Sequence, residues 1–265
     1  MAVADAVDAL RDYASRGFDL VVTHGGQYEE AALRVGEEFP ETSFVVIAGS
    51  SGNGKNVTIA NVNDQQIGYT RGWVAAHLTK TNKIGLVSHL EGMPVMNRIN
   101  GSWRMGAQAV NPDIETCIVY LSDGEDVAAG REAATALFEA GADVIEPETN
   151  RATQGVVDGG IENLYLTSAR DPAEIERGKD VVLSGIDYGY DRLYTGLAEA
   201  YKAGTLSGDK FLTGYDTPGA GFAFVWNTDL VPADVLAGLE SEVIPFFVAE
   251  PWLEVPPEKA ASGCQ

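Results

Sequence analysis

NVNDQQIGYTRGWVAAHLTKTNKIGLVSHLEGMPVMNRINGSWRMGAQAVNP, residues 61–112, decides the fold class. It reads as a polar loop, a helix, a strand, a second polar loop and a second helix. Ile67, Thr70, Val74, His77 and Leu78 recur at helical spacing, and KIGLV (83–87) is an apolar run of strand length. SHLEGMP is a loop marked by Gly and Pro, and Val95 to Val110 returns to helical period. In an open α/β sheet, ligands sit on the loops at the carboxyl ends of the strands. NVNDQQ and SHLEGM are two such loops either side of one helix. They are expected to face each other across a cleft and hold a small molecule.

Outward from this stretch the same alternation continues. FDLVV (18–22), FVVIA (44–48) and NVTIA (56–60) precede it as strands, with a helix from about Tyr28 to Phe39. After it come a strand at 116–121, a helix at about 126–140, a strand at 142–145, a short helix in ATQGVVDGGIE, and strands in NLYLTS and DVVLSGI. A long helix spans Tyr190 to Lys202, and 211–215 pairs with 222–226 as a hairpin. The strands read as continuous apolar runs, which predicts parallel sheets covered on both faces by helices. The chain opens on a helix, Val3 to Ala14, where a doubly wound sheet usually opens on a strand. The Pro-rich and then small, polar end, residues 251–265, reads as a flexible tail.

The 265 residues suit two modest lobes or one large α/β unit. With 39 acidic against 18 basic residues the net charge is −21, which argues against nucleic acid and against an anionic membrane surface. No run approaches the ~18–20 apolar residues that span a bilayer, and MAVADAVDALRDYA has no secretory leader pattern. Cys117 in an apolar run and Cys264 next to the end give little sign of a bridge. Cys117 reads as a small buried hydrophobe, and no metal or cofactor is implied.

GSSGNGKN (49–56) nearly satisfies a phosphate-binding loop, but Asn56 stands where a hydroxyl should hold Mg²⁺, and a strand rather than a helix follows. It reads as a surface turn. His24 and His89 each end a strand, in the ligand-facing position, whereas His77 lies within a helix. Asp64, Glu91, Asp171 and Asp187 fall in strand-end loops, where paired carboxylates could serve acid–base chemistry. Tyr28, Tyr188, Tyr215 and Trp226 lie near strand ends, where a ring face could stack on a planar ligand.

FDLVVTHGGQYEEAALRVGEEFPETSFVVIAG, QIGYTRGWVAAHLTKTNKIGLV, GMPVMNRINGSWRMGAQAVNPDI, GREAATALFEAGADVI and VVLSGIDYGYD resemble the basic membrane protein (Bmp, PnrA-like) family across about residues 5–240. The resemblance implies substrate-binding lipoproteins of ABC importers, largely for purine nucleosides. It implies the type I periplasmic-binding-protein fold, two doubly wound α/β lobes with a cleft between them. Residues 1–82 and about 186–206 would then form lobe one, and about 83–185 with 207–250 lobe two. The resemblance places pocket positions at Gly25, Gly26, Gln27, Asn63, Asp64, Glu91, Gly92, Met93, Thr149, Asn150, Asp187 and Tyr188. Of the family's ribose-binding acidic segment, SARD keeps Asp171 and has Ala169 in place of the first Asp. The family's later Lys is Asp187 here.

The resemblance begins at the family's second helix. The first strand–helix unit is therefore expected to be missing, with two neighbouring strands left with open ladders, reduced stability and weak or absent ligand binding. The function implied is an extracytoplasmic or lipid-anchored binding protein that hands a small ligand to an ABC permease without catalysis. A cytoplasmic ligand-sensing domain of the same fold is the alternative, and an α/β enzyme using cleft carboxylates a third reading.

Overall fold

A computed structural model describes residues 5–217 and 221–265. In chain order its regular elements are α1 (Ala6–Ser15), β1 (Leu20–His24), α2 (Glu29–Glu38), β2 (Ser43–Ile47), β3 (Val57–Val62), α3 (Asp64–Leu78), β4 (Lys83–His89), α4 (Pro94–Val110), β5 (Glu115–Leu121), α5 (Val127–Glu139) and β6 (Val144–Glu148). There follow α6 (Ala152–Asn163), α7 (Glu174–Arg177), β7 (Ser184–Asp187), α8 (Tyr190–Lys202), β8 (Lys210–Thr213), β9 (Ala223–Trp226), α9 (Ala233–Gly238), α10 (Ile244–Ala249) and β10 (Gly263–Cys264). The part of the opening helix before residue 5, Val3 included, lies outside the described residues.

The chain divides into two compact units, Met1–Asn63 with Tyr188–Phe222, and Asp64–Asp187 with Ala223–Gln265. In the smaller unit four parallel strands run in the order β1-β2-β3-β8. All six residues of β3 are buried, as a strand covered on both faces requires. Ala6, Leu10 and Ala14 of α1 and Ala32 and Val35 of α2 join Phe44, Val46, Val57 and Ile59 in one core cluster. The four strands are contiguous. The expected gap between two neighbours does not occur, because β1 pairs directly with β2 from Leu20↔Ser43 to His24↔Ile47.

In the larger unit the order is β10-β5-β4-β6, with β5, β4 and β6 parallel and β10 antiparallel. NLYLTS is not a full strand. Leu166 and Thr167 form single parallel bridges to Val144 and Val182, and these lead toward the antiparallel pair β7-β9. The expected hairpin of 211–215 with 222–226 does not form. β8 instead adds parallel to β3 in the smaller unit, while β9 lies against β7 in the larger. Nearness in sequence favoured the hairpin, but the open edge of β3 offered a full parallel ladder.

Two unit boundaries therefore move. Residues 207–222 belong with the first lobe because β8 completes its sheet. Residues 64–82 belong with the second because α3 packs face to face on α4. That approach depends on glycine: a Cβ at Gly68 would collide with the Ile99 carbonyl, and one at Gly72 with that of Trp103. Four residues apart, they make one bare stripe along α3 on which α4 lies.

The tail is ordered, against expectation. Cys117 and Cys264 form a disulfide across 147 residues of sequence, so Cys117 is a bridge residue and not merely a small hydrophobe. Thr116 and Gln265 exchange both backbone bonds, at 2.9 and 3.0 Å. Arg104, wholly buried, gives all five of its N–H donors away, to the Thr116 hydroxyl and to the carbonyls of Thr116, Lys259, Ala261 and Gly263. Burial in this uncharged cage lowers its pKa to about 10.

Candidate functional site

The carboxyl ends of the smaller unit's strands carry a column of rings. His24, the last residue of β1, meets the Tyr194 hydroxyl through Nδ1 at 2.8 Å and packs edge-on against Tyr190 at 5.1 Å. Tyr190 in turn stacks on Tyr188 at 5.8 Å, with planes 12° apart. The rings converge because α8 starts at Tyr190, one residue after the left-handed turn at Gly189. Partial burial lowers the pKa of His24, which keeps the imidazole neutral and able to face an uncharged ring.

Beside this column, β3 ends in two buried amides. Asn61 donates to the Gly49 carbonyl at 3.2 Å, while its Oδ1 and Thr213 Oγ1, at the end of β8, have no hydrogen-bond partner among the described residues. The Asn63 backbone N–H is tied to the Thr213 carbonyl at 2.8 Å. Ala48, at the end of β2, holds φ at 63°, a strained region for a residue with a Cβ.

Gln27 is exposed in the turn Gly26–Tyr28, but the Tyr28 ring packs against the core beneath and is not offered as a stacking face. Tyr215 and Trp226 pair with Phe222 and Phe224, at 4.9 and 4.8 Å between ring centroids. The GSSGNGKN loop is no phosphate cradle. The Glu29 carboxylate already takes the Ser50 and Ser51 N–H groups, and Asn53 Oδ1 takes those of Lys55, Asn56 and Val57.

The corresponding end of the larger unit is ionic. Asp64 opens α3 and accepts from Arg98 of α4, Nε at 3.2 Å and Nη2 at 3.0 Å, both on Oδ2. Burial drives its pKa up to about 6, against the opposing pull of Arg98, and the charge of Glu148 adds to the rise. Glu148 ends β6 and binds Arg71 Nη1 at 2.9 Å through Oε2. Arg71 also holds Glu146 through Nε and Nη2, at 2.9 and 2.6 Å, so two buried carboxylates share one buried guanidinium. Ser168 gives its hydroxyl to Glu146 Oε1.

His89 ends β4 and lies 3.0 Å from the Glu148 carbonyl through Nδ1. A carbonyl can only accept, so Nδ1 carries a proton and is the donor in this contact. Asn100 donates to Ser88 Oγ and to the Tyr120 hydroxyl, and its buried Oδ1 has no hydrogen-bond partner among the described residues. Leu90, directly after β4, holds φ at 53°.

Other expected positions are less central. Glu91 and Gly92 are exposed in the loop, and Met93 is the N-cap residue of α4. Thr149 is buried, bonding Thr153 through its hydroxyl and Arg170 through its carbonyl, and Arg170 also reaches Asn150. Asp171 is turned to a structural task, since its Oδ1 accepts from Ala173 N at 2.9 Å just ahead of α7. Asp187 is exposed at the end of β7.

Arg98, Arg71, Glu148, Ser88, Asn100, Tyr190 and Tyr194 were not picked out from sequence. One signal was available: VIEPE alternates two carboxylates within an apolar strand, which demands a buried cation nearby. Among the described residues, the one group with metal-like spacing is Glu115, Cys117 and Cys264, and its two sulfurs are joined to each other.

Asp64 gives a test of the electrostatics. A carboxyl raised to about 6 stabilises the fold below its ordinary pKa near 3.8, and that contribution is lost as pH rises through about 6. Urea unfolding from pH 4 to 8 is expected to show Asp64→Asn losing a pH-dependent contribution on the order of 2 kcal/mol. Identical profiles for the variant and the wild type would sink this reading.

A family model described as "ABC transporter substrate-binding protein PnrA-like" matches residues 2–215. The chain is 29% identical over 209 residues to the transcriptional activator protein med of Bacillus subtilis, covering 77% of this chain and 63% of med. It is 32% identical over 143 residues to the ABC transporter nucleoside-binding protein BmpA of Lactococcus lactis, covering 53% of this chain and 40% of BmpA. The chain thus spans less than two thirds of the length of these relatives. Among solved structures, an ABC transporter solute-binding protein from Conexibacter woesei superposes with a TM-score of 0.71 at 25% identity, covering 97% of this chain and 85% of that one.

Proposed function

The chain belongs to the PnrA-like family of ABC transporter substrate-binding proteins, and from that premise we propose that it binds a nucleoside or purine-like ligand and passes it, unaltered, to an ABC permease. The observation that carries this reading is the ring column of Tyr188, Tyr190 and His24 at a strand end. A flat ring face stacked on a base contributes ~1–3 kcal/mol. Micromolar affinity needs about 8 kcal/mol net, so one stack with several hydrogen bonds from strand-end polar groups is enough.

The groups at the strand ends suit a donor-rich ligand. In the smaller unit, which carries the ring column, Asn61 Oδ1 and Thr213 Oγ1 are buried with no hydrogen-bond partner among the described residues. Sugar hydroxyls or amino groups would satisfy them. Similarity to a nucleoside-binding protein supports the same ligand class.

Similarity to a transcriptional activator favours a second reading, a ligand sensor inside the cell. The Cys117–Cys264 bridge weighs against it, because disulfides persist mainly outside the reducing cytosol. Among the described residues, no helix is long and apolar enough to cross a membrane. The disulfide makes an extracytoplasmic address part of the proposal.

Calorimetry with inosine, guanosine and adenosine, and glucose as comparator, tests the ligand. At least one nucleoside is expected to bind at micromolar concentration, and Tyr188→Ala is expected to weaken it about tenfold, the worth of one stacked ring. Heat from glucose alone, or conversion of the nucleoside during the titration, would overturn the proposal.

A further inference from the structure

The C-terminal segment passes directly over the ionic end of the larger unit. Trp252 lies with its ring centroid 5.8 Å from the Arg98 guanidinium carbon, on the side chain that pairs with Asp64. The backbone on either side of Trp252 is clamped. Gln66 donates to the Pro251 carbonyl at 3.2 Å. Gln65 donates to the Leu253 carbonyl at 2.6 Å and accepts from the Leu253 N–H at 3.0 Å. Both glutamines are essentially inaccessible to solvent. They directly follow Asp64 in α3, so one helical turn fixes the carboxylate and the backbone that bears the ring.

We propose that Trp252 is a positioning residue of the candidate site: its ring holds Arg98 against Asp64, and the C-terminal segment that carries it belongs to the ligand-binding machinery. An arginine side chain has several rotatable bonds, and without a second hold it would sample geometries in which it leaves Oδ2. The ring supplies that hold, with the guanidinium carbon over its face at 5.8 Å from the centroid. Both hydrogen bonds from Arg98 end on one oxygen, Oδ2, and keep the guanidinium edge toward the carboxylate. The far end of the segment is anchored by the Arg104 cage and by Cys264, so the ring is fixed from both directions along the chain. Trp252 touches no ligand in this scheme and acts through Arg98.

The proposal rests on the nucleoside reading for its affinity arm and not for its spectroscopic arm. A cation over a ring changes an equilibrium by a factor of about 2 to 30. Trp252→Leu keeps an apolar filler without a ring face and is expected to weaken inosine binding about tenfold, whereas Trp252→Phe stays within about twofold of wild type. In protein labelled with 5-fluorotryptophan, the ¹⁹F resonance assigned to Trp252 by its loss in Trp252→Phe is expected to shift in Asp64→Asn without any ligand. The resonance of Trp103, buried within α4, stays in place.

Wild-type affinity in Trp252→Leu, or a Trp252 resonance indifferent to Asp64→Asn, would overturn the positioning role. Failure of wild type to bind any nucleoside would count against the ligand reading alone, since the ligand-free resonance still decides this one.

Discussion

Reducing the Cys117–Cys264 bridge, or replacing both cysteines by alanine, is expected to lower the unfolding free energy by about 3–5 kcal/mol. The bridge closes 147 residues of chain, more than half the protein, and the stabilisation from restricting the unfolded chain grows with the logarithm of loop length. Urea unfolding with and without a phosphine reductant measures it. The native-state bonds of the tail survive reduction in this account, so the far-ultraviolet spectrum should hardly change while the midpoint falls. An unchanged midpoint would mean that the 147-residue loop adds nothing. A spectrum that collapses at once would mean that the bridge, and not Arg104, holds the tail in place.

Arg71→Met is expected to cost about 3–5 kcal/mol, the range for removing one partner of a buried ion group. Arg71 holds Glu146 and Glu148 with three bonds, and its fourth goes to the Pro147 carbonyl, so the variant would leave two carboxylates buried without a cation. The diagnostic is the combination. Glu146→Gln with Glu148→Gln in the Arg71→Met background should recover most of the loss, because neutral amides remove the uncompensated charges. If the triple variant is no more stable than the single one, the loss came from packing and the buried charges are of little account.

The parts of the molecule that were legible from sequence are those written in short-range pattern. The succession β3, α3, β4, α4 follows from apolar spacing within windows of fifteen residues, and His24 and His89 fall at strand ends because apolar runs stop there. The disulfide was not legible, since nothing local to Cys117 refers to a residue 147 positions on. The tail looked mobile because its composition is that of a loop, yet its order comes from Arg104 and the two glutamines of α3, all distant in sequence.

The site divides in the same way. Asp64 reads from sequence as a strand-end loop residue and is in the structure the first residue of α3, while Arg98, its partner, sits inside a helix where an arginine ordinarily means a solvated face. Tyr28 was over-read: a ring beside a glycine turn satisfied the aromatic criterion, while the core beneath it had room for one. Asp171 is a pocket position only by the resemblance, and in the structure its Oδ1 accepts from the turn that leads into α7. A single carboxylate cannot be assigned to ligand or turn until its neighbours in space are known.

The Arg104 cage has a consequence for how the C-terminus tolerates change. Its bonds to the tail go to carbonyl oxygens at residues 259, 261 and 263, every second residue, and to none of the side chains there. The tail is recognised as a shape, the way an extended peptide is recognised by main-chain pairing. Exchanging the side chain at 261 therefore carries little penalty, and at 259 only the loss of the Lys259 Nζ bond to Gln108 Oε1, 2.5 Å. Gly263 is the exception, because its φ of 87° admits few residues with a Cβ, and it stands immediately before the cysteine that makes the attachment covalent.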